Sequence, residues 1–314
     1  MTRNVQDKIC RVGALPHRGL IRIQGSDAAR LLQGQLSNDV MALAVADQQF
    51  TSLNSPKGRL LATGYLFRND ALSYLFDLPQ VLIDAVVKRL KMFVLRSDVR
   101  IDALPDHHAT AVLGLPTAPV DTLPAEALSA LSNWDAPLGK GHLLSGGGFI
   151  AARPGDDAPR WVLWSSTPDE ARLEDLSEPW RLADIQAGVP NLAPETQERF
   201  IAQHAGVDRL GGISFTKGCF TGQEVIARLH YLGQAKRFLA LGTSAQAPSA
   251  GQRLARAVDD STVGEIIESV VSSDQSYWLA VVQGDAFAPT DLQLSSEQPI
   301  SSLQYFTGSA VKNS

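Results

Sequence analysis

The sequence predicts an α+β protein with two ferredoxin-like subdomains, of the split β-α-β type, followed by a small C-terminal β-barrel. Three observations support this fold class. The first hundred residues show strand and helix patterns in the split β-α-β order, a fainter copy of that order follows, and beyond residue 236 only short alternating apolar runs remain. The predicted domain boundaries are therefore 1–104, 105–235 and 236–314.

The first subdomain opens with a strand over 19–23, and Ser26 is the expected N-cap of the helix that follows. The turn-forming run at 54–58 lies among further strands. Those strands are predicted at 49–53, 60–67 and 73–76. A helix with apolar residues at helical spacing over 81–93 leads to a last strand at 98–101.

The second subdomain repeats this order less clearly, and the C-terminal region is predicted to be all β. A helix start is expected at 167–170, because threonine, proline and glutamate stand at its N-cap, first and third positions. The other predicted elements are strands at 109–113, 148–151 and 161–164 and a helix over 124–131. A linker is expected at 243–252, before barrel strands at 263–267, 277–282 and 292–294.

Composition narrows the functional classes. The chain has 314 residues, of which 44% are hydrophobic and 19% charged, and this composition is typical of a globular protein with a sizeable core. A net charge of −5 argues against extensive non-specific binding of nucleic acid. Two cysteines and six histidines show no metal-ligand spacing, and no apolar run spans a bilayer, so we expect a soluble cytoplasmic protein without a bound metal.

The segment over 213–224 carries the strongest chemical signal. Thr221 and Glu224 have the spacing of a capping box, so a helix is expected to begin at Thr221, with Cys219 just ahead of it. The helix N-terminus and the nearby cation of Lys217 should both favour the thiolate of Cys219. The alternative is that Cys219 is a small buried hydrophobic residue, and the residues alone leave both interpretations open.

The run Lys-Gly-Cys-Phe-Thr-Gly-Gln-Glu over 217–224 resembles the K-G-C-[FY]-x-G-Q-E signature of the YgfZ family. These are folate-binding proteins related to the aminomethyltransferase, or T-protein, of the glycine cleavage system. Four further segments are similar to the family: 25–40, the turn at 56–59, the tryptophan-led run at 180–190 and the lead-in at 210–215. The resemblance therefore extends over most of the chain.

The resemblance implies a tetrahydrofolate-type ligand in a central pocket and a T-protein-like core. Cys219 matches the family's essential cysteine, Lys217 its neighbouring lysine, and Trp180 the position whose indole lies against folate. Core packing is the alternative for Trp180. Glu224 is a candidate to bind a pterin nitrogen, although helix capping already explains it. Lys217 and Arg228 are candidates to pair with the glutamate tail of folate, the alternative being a solvated surface charge.

The resemblance also implies a role in maintaining iron–sulfur enzymes and, through them, in tRNA thiolation. The aminomethyltransferases place an acidic residue shortly after the hairpin glycine, but Gly58 is followed here by Arg-Leu-Leu-Ala-Thr. We therefore expect a folate-binding accessory protein without conventional turnover, whose partners are iron–sulfur proteins such as tRNA-thiolating enzymes. The alternative is a folate-dependent one-carbon transferase.

A third hypothesis is a module that binds tRNA directly. Four basic residues near the predicted helix over 81–93 would form a local basic patch, namely Lys88, Arg89, Lys91 and Arg96. The net charge weighs against this hypothesis, and a solvated helix face is the simpler interpretation of the four residues.

Overall fold

The computed structural model describes residues 10–114, 122–132, 134, 140–144, 148–154, 159–166, 173–232, 236–284, 287–294 and 298–306. In these residues three β-sheets and five α-helices form a mixed α/β fold. The helix start predicted at 167–170 lies outside the described residues.

The elements follow the predicted order over most of the chain. Over residues 11–103 they are β1 (Arg11–Ala14), β2 (Arg18–Gln24), α1 (Ala28–Gln35), β3 (Gln48–Asn54), β4 (Leu60–Arg68), β5 (Ser73–Pro79), α2 (Ile83–Lys91) and β6 (Arg100–Ala103). The middle of the chain contains β7 (His108–Leu113), α3 (Ala125–Ser132), β8 (Gly141–Leu143), β9 (Phe149–Arg153), β10 (Arg160–Ser165), β11 (Glu174–Asp175), α4 (Ser177–Ala187) and α5 (Gln223–Leu232). The last third contains β12 (Arg237–Ser244), β13 (Arg253–Arg256), β14 (Thr262–Ser272), β15 (Gln275–Gln283), β16 (Leu292–Leu294), β17 (Gln298–Pro299) and β18 (Ser302–Tyr305).

The first sheet has five antiparallel strands in the order β3-β4-β5-β2-β6. Helices α1 and α2 pack against it through apolar residues at helical spacing, including Leu32 and Leu36 from the first helix region and Val86 and Leu90 from the second. Burying these side chains on one sheet face is the main favourable term for this part of the fold.

The predicted cap of α1 is wrong in its details. Asp27, not Ser26, is the residue before the helix, and its side chain makes no cap hydrogen bond. Ser26 Oγ instead donates to Asp98 Oδ2 at 2.7 Å, and the Asp98 amide donates back to Asp27 Oδ2 at 2.9 Å. The two residues before α1 therefore fasten the helix to the turn that follows α2.

The second sheet has six strands in the order β11-β1-β7-β10-β9-β8, in which only the β1–β11 pair is parallel among the described pairings. One face carries Trp164 and Phe149, which pack towards the first sheet, where the ring of Phe149 stacks on Phe67 at 4.1 Å. The other face carries Trp161 and packs against α3. The central strands β7, β10 and β9 are therefore buried on both faces.

The C-terminal sheet has seven antiparallel strands in the order β17-β16-β13-β14-β15-β12-β18. It curls into a half-barrel, and β17 and β18 at its two ends do not pair with each other in the described residues, so the predicted barrel is confirmed only as a curled sheet. Trp278 and Ile266 fill its interior, while Leu279 and Val281 of the opposite face pack into the core of the first sheet. Strand β12 continues to Ser244, so the linker does not begin at residue 243 as predicted.

The segment between α4 and β12 returns to the first sheet. Its apolar side chains, among them Phe200, Val207, Ile213, Phe220 and Ile226, lie in the same hydrophobic cluster as β2 to β5. The cysteine motif therefore packs on the N-terminal sheet, although more than 100 residues separate them in sequence.

Candidate functional site

Cys219 lies on the surface in the segment that leads into α5. It is exposed, whereas Phe220 beside it is buried in the core of the first sheet. The only other cysteine, Cys10, is partly buried. The interpretation of Cys219 as a buried hydrophobic residue is therefore wrong, because its thiol faces solvent.

Lys217 anchors this segment to the connection between α1 and β3. Its ammonium donates hydrogen bonds to the carbonyl oxygens of Leu36 at 2.8 Å and Asn38 at 2.7 Å. The side chain is 7% exposed, so Lys217 is not a solvated surface charge. Burial lowers the pKa of Lys217 to about 8, and the carboxylate of Asp39 opposes that change.

Gly222 brings the motif against the predicted hairpin turn. Its φ is +85°, and a Cβ at this position would overlap the backbone of Ser55 and Gly58. On the other side the Thr221 amide donates to the Gly34 carbonyl at 3.0 Å. Three segments that resemble the family, 25–40, 56–59 and 217–224, are thus in direct contact.

The predicted capping box is wrong. Helix α5 begins at Gln223, two residues after the expected position. Thr221 Oγ1 instead contacts α1, at 3.4 Å from the Gly34 carbonyl and 3.3 Å from Gln35 Oε1. The hydroxyl thus joins α1 to the motif, and Glu224 is left exposed in the first turn of α5.

Glu224 lines a shallow groove beside the motif, whereas Arg228 lies one turn further along α5 and is exposed. The groove is also lined by Phe220, by Pro56, by Arg89 near the end of α2 and by Phe93 just after it. Of the predicted site residues, Lys217, Cys219, Glu224 and Arg228 therefore belong to one region of the molecule.

Trp180 lies in a different region. It is buried among the apolar residues between the first and second sheets, and the guanidinium of Arg160 lies over its indole at 4.6 Å. Arg160 also forms an ion pair of 2.6 Å with Asp184, one helical turn along α4. Core packing of Trp180 is thus observed, and its contact with folate stays a prediction.

A buried polar centre, which we define as Arg18, Asp77, Arg153, Asp184, Asn191 and Glu268, lies where the three sheets meet. Asp77 on β5 accepts from Arg18 Nε and Nη2 at 2.8 and 2.6 Å and from Arg153 Nη2 at 2.6 Å. Burial disfavours the charge on Asp77, but the two guanidinium groups outweigh it and hold its pKa below the ordinary value. The carboxylate thus joins the first and second sheets.

Asn191 continues the polar centre to the C-terminal sheet. Its side-chain oxygen accepts from Arg18 at 2.9 Å, and its amide nitrogen donates to Asp184 at 3.1 Å. The Asn191 backbone amide donates to Glu268 Oε1 at 2.8 Å. One residue therefore connects charged side chains from the first sheet, the C-terminal sheet and α4.

Glu268 reaches this position because of a β-bulge. The register between β14 and β15 shifts between Ile266 and Glu268, so that both isoleucines and the glutamate are buried. Burial raises the pKa of Glu268 to about 7, against the lowering effects of Arg181 and of the Asn191 hydrogen bonds. Glu268 is therefore the carboxyl group of the polar centre that titrates near neutral pH.

The raised pKa predicts a pH-dependent stability that Glu268→Gln should remove. The folded protein holds a proton on Glu268 that the unfolded chain releases between about pH 4.5 and 7, so stability contributed by this group is lost as pH rises through that window. The difference in the free energy of unfolding between wild type and variant should change by on the order of 3 kcal/mol across it. Urea denaturation at pH 5, 6 and 7 measures this, and a constant difference would contradict it.

The sequence pattern alone does not predict the polar centre. The sequence does contain a usable signal, because Asp77 and Arg153 each stand within an apolar strand pattern, where charged residues are rare unless paired. The pairing itself depends on contacts between residues that are 59 and 76 positions apart.

Among the residues that the structure describes, neither a metal-binding cluster nor a membrane-spanning helix is found. No group of three or more His, Cys, Asp or Glu side chains in those ranges is placed to hold a metal ion. None of the described helices is long and apolar enough to cross a membrane.

Comparison with known proteins finds both similar sequences and a similar solved structure. No family model matches the chain. It is 29% identical to the tRNA-modifying protein YgfZ of Yersinia enterocolitica over 291 residues, which cover 88% of this chain and 86% of that protein. The YgfZ proteins of Yersinia pseudotuberculosis and Yersinia pestis are 28% identical over the same shares of the two chains.

A solved structure shows the same fold. The glycine cleavage system aminomethyltransferase T from Bartonella henselae superposes on 95% of this chain and 85% of its own, with a TM-score of 0.70 and 14% sequence identity. At that identity the likeness concerns the fold alone.

Proposed function

We propose that this protein binds tetrahydrofolate and supports tRNA modification, because it resembles YgfZ proteins over 88% of its length. In this proposal it acts in the cytoplasm as an accessory factor for iron–sulfur enzymes, such as tRNA-thiolating enzymes, and Cys219 is its functional thiol. One observation carries the proposal. An exposed cysteine is held in place by a buried lysine, in the segment that resembles the family most closely.

The chemistry of the polar centre fits the pterin part of a folate. A pterin presents N–H groups beside a carbonyl oxygen, and such an edge is bound by a carboxylate together with an N–H donor. Glu268 and Asp184 carry carboxyl groups, and Asn191 and Arg18 carry N–H donors, at the meeting point of the three sheets. These groups bond to one another in the structure, and a bound pterin would take the place of some of those contacts. We assign the pterin to this centre and keep Trp180, which borders it through Arg160 and Asp184, as its aromatic neighbour.

Cys219 and its neighbours have a separate role in this proposal. The thiol faces solvent, and the Lys217 ammonium is directed into the protein against two carbonyl oxygens. We therefore assign Cys219 to chemistry with a partner protein, and Lys217 to positioning the segment. Glu224 and Arg228 remain candidates for contacts with the folate tail, from the exposed face of α5.

The alternative is a folate-dependent one-carbon transferase. Its motive is the fold shared with an aminomethyltransferase, and a fold does not fix function. The hairpin after Gly58 argues against it, because no carboxylate stands there. Arg59 occupies that position and donates to the backbone carbonyls of Glu198 and Arg199 at 3.2 and 2.8 Å. Its role there is structural. Glycine-cleavage activity of the purified protein with all partner proteins present would establish the transferase, and its absence would remove it.

Calorimetric titration with tetrahydrofolate tests the proposed ligand. Wild type is expected to bind, and Glu268→Gln, which keeps the shape and removes the carboxylate, is expected to bind at least about tenfold more weakly, a loss of about 1.4 kcal/mol. Cys219→Ser should bind as wild type does, while failing to restore tRNA thiolation in cells that lack the protein.

Two controls make the titration decisive. Glu265→Gln changes a glutamate of the same strand that forms an exposed ion pair with Arg199, and it should leave binding unchanged. Absence of binding by wild type at high micromolar concentration would refute the folate ligand. Loss of binding in Cys219→Ser would place the thiol in the ligand site instead.

The finer fold assignments belong to the same proposal. The order of β6, β2, β5 and β4, with α1 and α2 between strands, supports a ferredoxin-like first subdomain that has β3 as an extra strand. We keep the boundaries at 1–104, 105–235 and 236–314, together with a second ferredoxin-like subdomain.

A further inference from the structure

The turn after α2 presents an exposed apolar and basic surface. We define the Leu95 surface as Met92 and Leu95 together with Lys88, Lys91 and Arg96. Leu95 is 88% exposed and Met92 60%, although large apolar side chains that protrude together are uncommon on a soluble protein. Neither the folate ligand nor the cysteine chemistry of the proposed function makes use of this surface.

Leu95 is held in a strained backbone conformation. Its φ is +44°, in the left-handed region that a leucine rarely adopts. Such a conformation is kept only where the surrounding structure imposes it, and it is enriched at binding and switch sites. Here it costs energy and leaves the apolar side chain in water, so folding alone gives no reason for a leucine at this position.

The turn is fastened at its far end. Asp98 N donates to Asp27 Oδ2 at 2.9 Å, and Asp27 N donates to the Asp98 carbonyl at 3.3 Å. Ser26 Oγ also donates to Asp98 Oδ2. Gly25, with a φ of +136°, permits this approach, because a Cβ there would overlap the Asp98 carbonyl. The turn is therefore preorganised, which lowers the entropy that binding would cost.

The charges around Leu95 are basic and unpaired. Lys88, Lys91 and Arg96 are exposed, and none of them forms an ion pair with the described part of the chain. The neighbouring cations differ, because Arg30 pairs with Asp27 and Arg100 pairs with Asp102. On a chain whose net charge is −5, this local excess of positive charge favours an acidic partner.

We infer that the Leu95 surface is a docking site for an acidic protein segment that carries aliphatic side chains. Two hollows flank Leu95, one lined by Val94, Val99 and Ile101 and the other by Arg30 and Ser97, and they suit the insertion of separate side chains. A second copy of this chain would place like charges together. RNA recognition relies on phosphate contacts and aromatic stacking, whereas the most exposed residues here are aliphatic.

The Leu95 surface adjoins the groove beside the cysteine motif. Arg89 and Phe93, from the end of α2 and the same turn, line the groove whose other wall is formed by residues 220–224. A segment held at Leu95 would therefore reach the region of Cys219. The inference goes beyond the proposed folate function, and each is tested separately, since one concerns peptide binding and the other tetrahydrofolate.

Fluorescence anisotropy with defined peptides tests the inference. The probe is a labelled amphipathic peptide of about 16 residues, with leucine at helical spacing and glutamate elsewhere. It should bind wild type at least about tenfold more tightly than the same peptide with lysine for glutamate or with serine for leucine. Bulk tRNA and vesicles that contain anionic lipid serve as competing probes.

Two variants locate the binding on the Leu95 surface. Leu95→Gly keeps the left-handed backbone and so preserves the fold, and Lys91→Glu with Arg96→Glu reverses the charge. Each should weaken peptide binding at least about tenfold. The matched controls, Val258→Gly at another exposed apolar position and Lys236→Glu at another exposed lysine, should bind as wild type does.

Several outcomes would overturn the inference. They are absence of binding by the acidic leucine peptide, equal binding by its lysine version, and binding that Leu95→Gly does not weaken. Salt-dependent binding of tRNA that the charge reversal removes and Leu95→Gly leaves intact would show an RNA interface. Preferential binding to the anionic vesicles would show a membrane-surface site.

Discussion

Replacing Asp77 with alanine is expected to destabilise the protein by about 3–5 kcal/mol, the usual cost of removing one partner from a buried ion pair. Asp77 is the only carboxylate that contacts both Arg18 and Arg153 among the described ion pairs, at 2.6 Å in each case. Both guanidinium groups are almost fully buried, so neither can recover its hydration without opening the junction between the first and second sheets.

Urea denaturation of Asp77→Ala beside Asp102→Ala measures this effect. Asp102 pairs with Arg100 in an exposed position, and its removal should cost less than about 1 kcal/mol. The triple change Arg18→Met, Asp77→Leu and Arg153→Met should recover most of the lost stability, because it removes the charges together. A loss below about 1 kcal/mol in Asp77→Ala would mean that the arginines find other partners, and would contradict a dominant role for this carboxylate.

Lys217→Met should cost about 2–3 kcal/mol, because hydrogen bonds from charged groups are strong and two carbonyl oxygens lose their donor. The carbonyls belong to Leu36 and Asn38, so the change also releases the cysteine segment from the α1–β3 connection. We expect this variant to keep tetrahydrofolate binding and to lose support of tRNA thiolation. Lys57→Met, at an exposed lysine of the neighbouring turn, is the matched control, and it should leave stability, tetrahydrofolate binding and support of tRNA thiolation unchanged.

The pH dependence of the same variant separates the buried ammonium from general packing. The pKa of Lys217 is lowered to about 8 in the folded protein, so between about pH 8 and 10.5 the unfolded chain binds the additional proton. Wild-type stability contributed by this group therefore rises with pH across that window, and Lys217→Met should lack the rise. Parallel stability curves for the two proteins from pH 7.5 to 10.5 would contradict this assignment.

The alternating strands of the first subdomain could be predicted because their signal is local. In β2, β4 and β5 the apolar run and the turn residues that bound it lie within ten positions of each other. The predicted cap of α1 failed for the opposite reason. Ser26 has the residue type of a cap, but its hydroxyl is bound by Asp98, which is 72 positions away.

The same difference between local and long-range contacts applies to the candidate site. Cys219 and Lys217 could be named because they stand together in one motif, yet the direction of the Lys217 ammonium depends on Leu36, 181 positions away. Glu268 could not be placed at the polar centre, because a strict alternation along β14 ignores the bulge that turns it inward. Sequence periodicity indicates where a strand lies, and the side on which one polar residue lies depends on a single extra residue.

The anchoring of Lys217 to the α1–β3 connection also bears on how the chain is synthesised. Residues 36 and 38 leave the ribosome early, and their carbonyl groups receive the ammonium only after residue 217 has been made. A chain released before that point would hold an open, apolar surface on the first sheet where Phe220 and Ile226 belong. Completion of the N-terminal core and correct presentation of the thiol are therefore a single late event, and a prematurely terminated product would have neither.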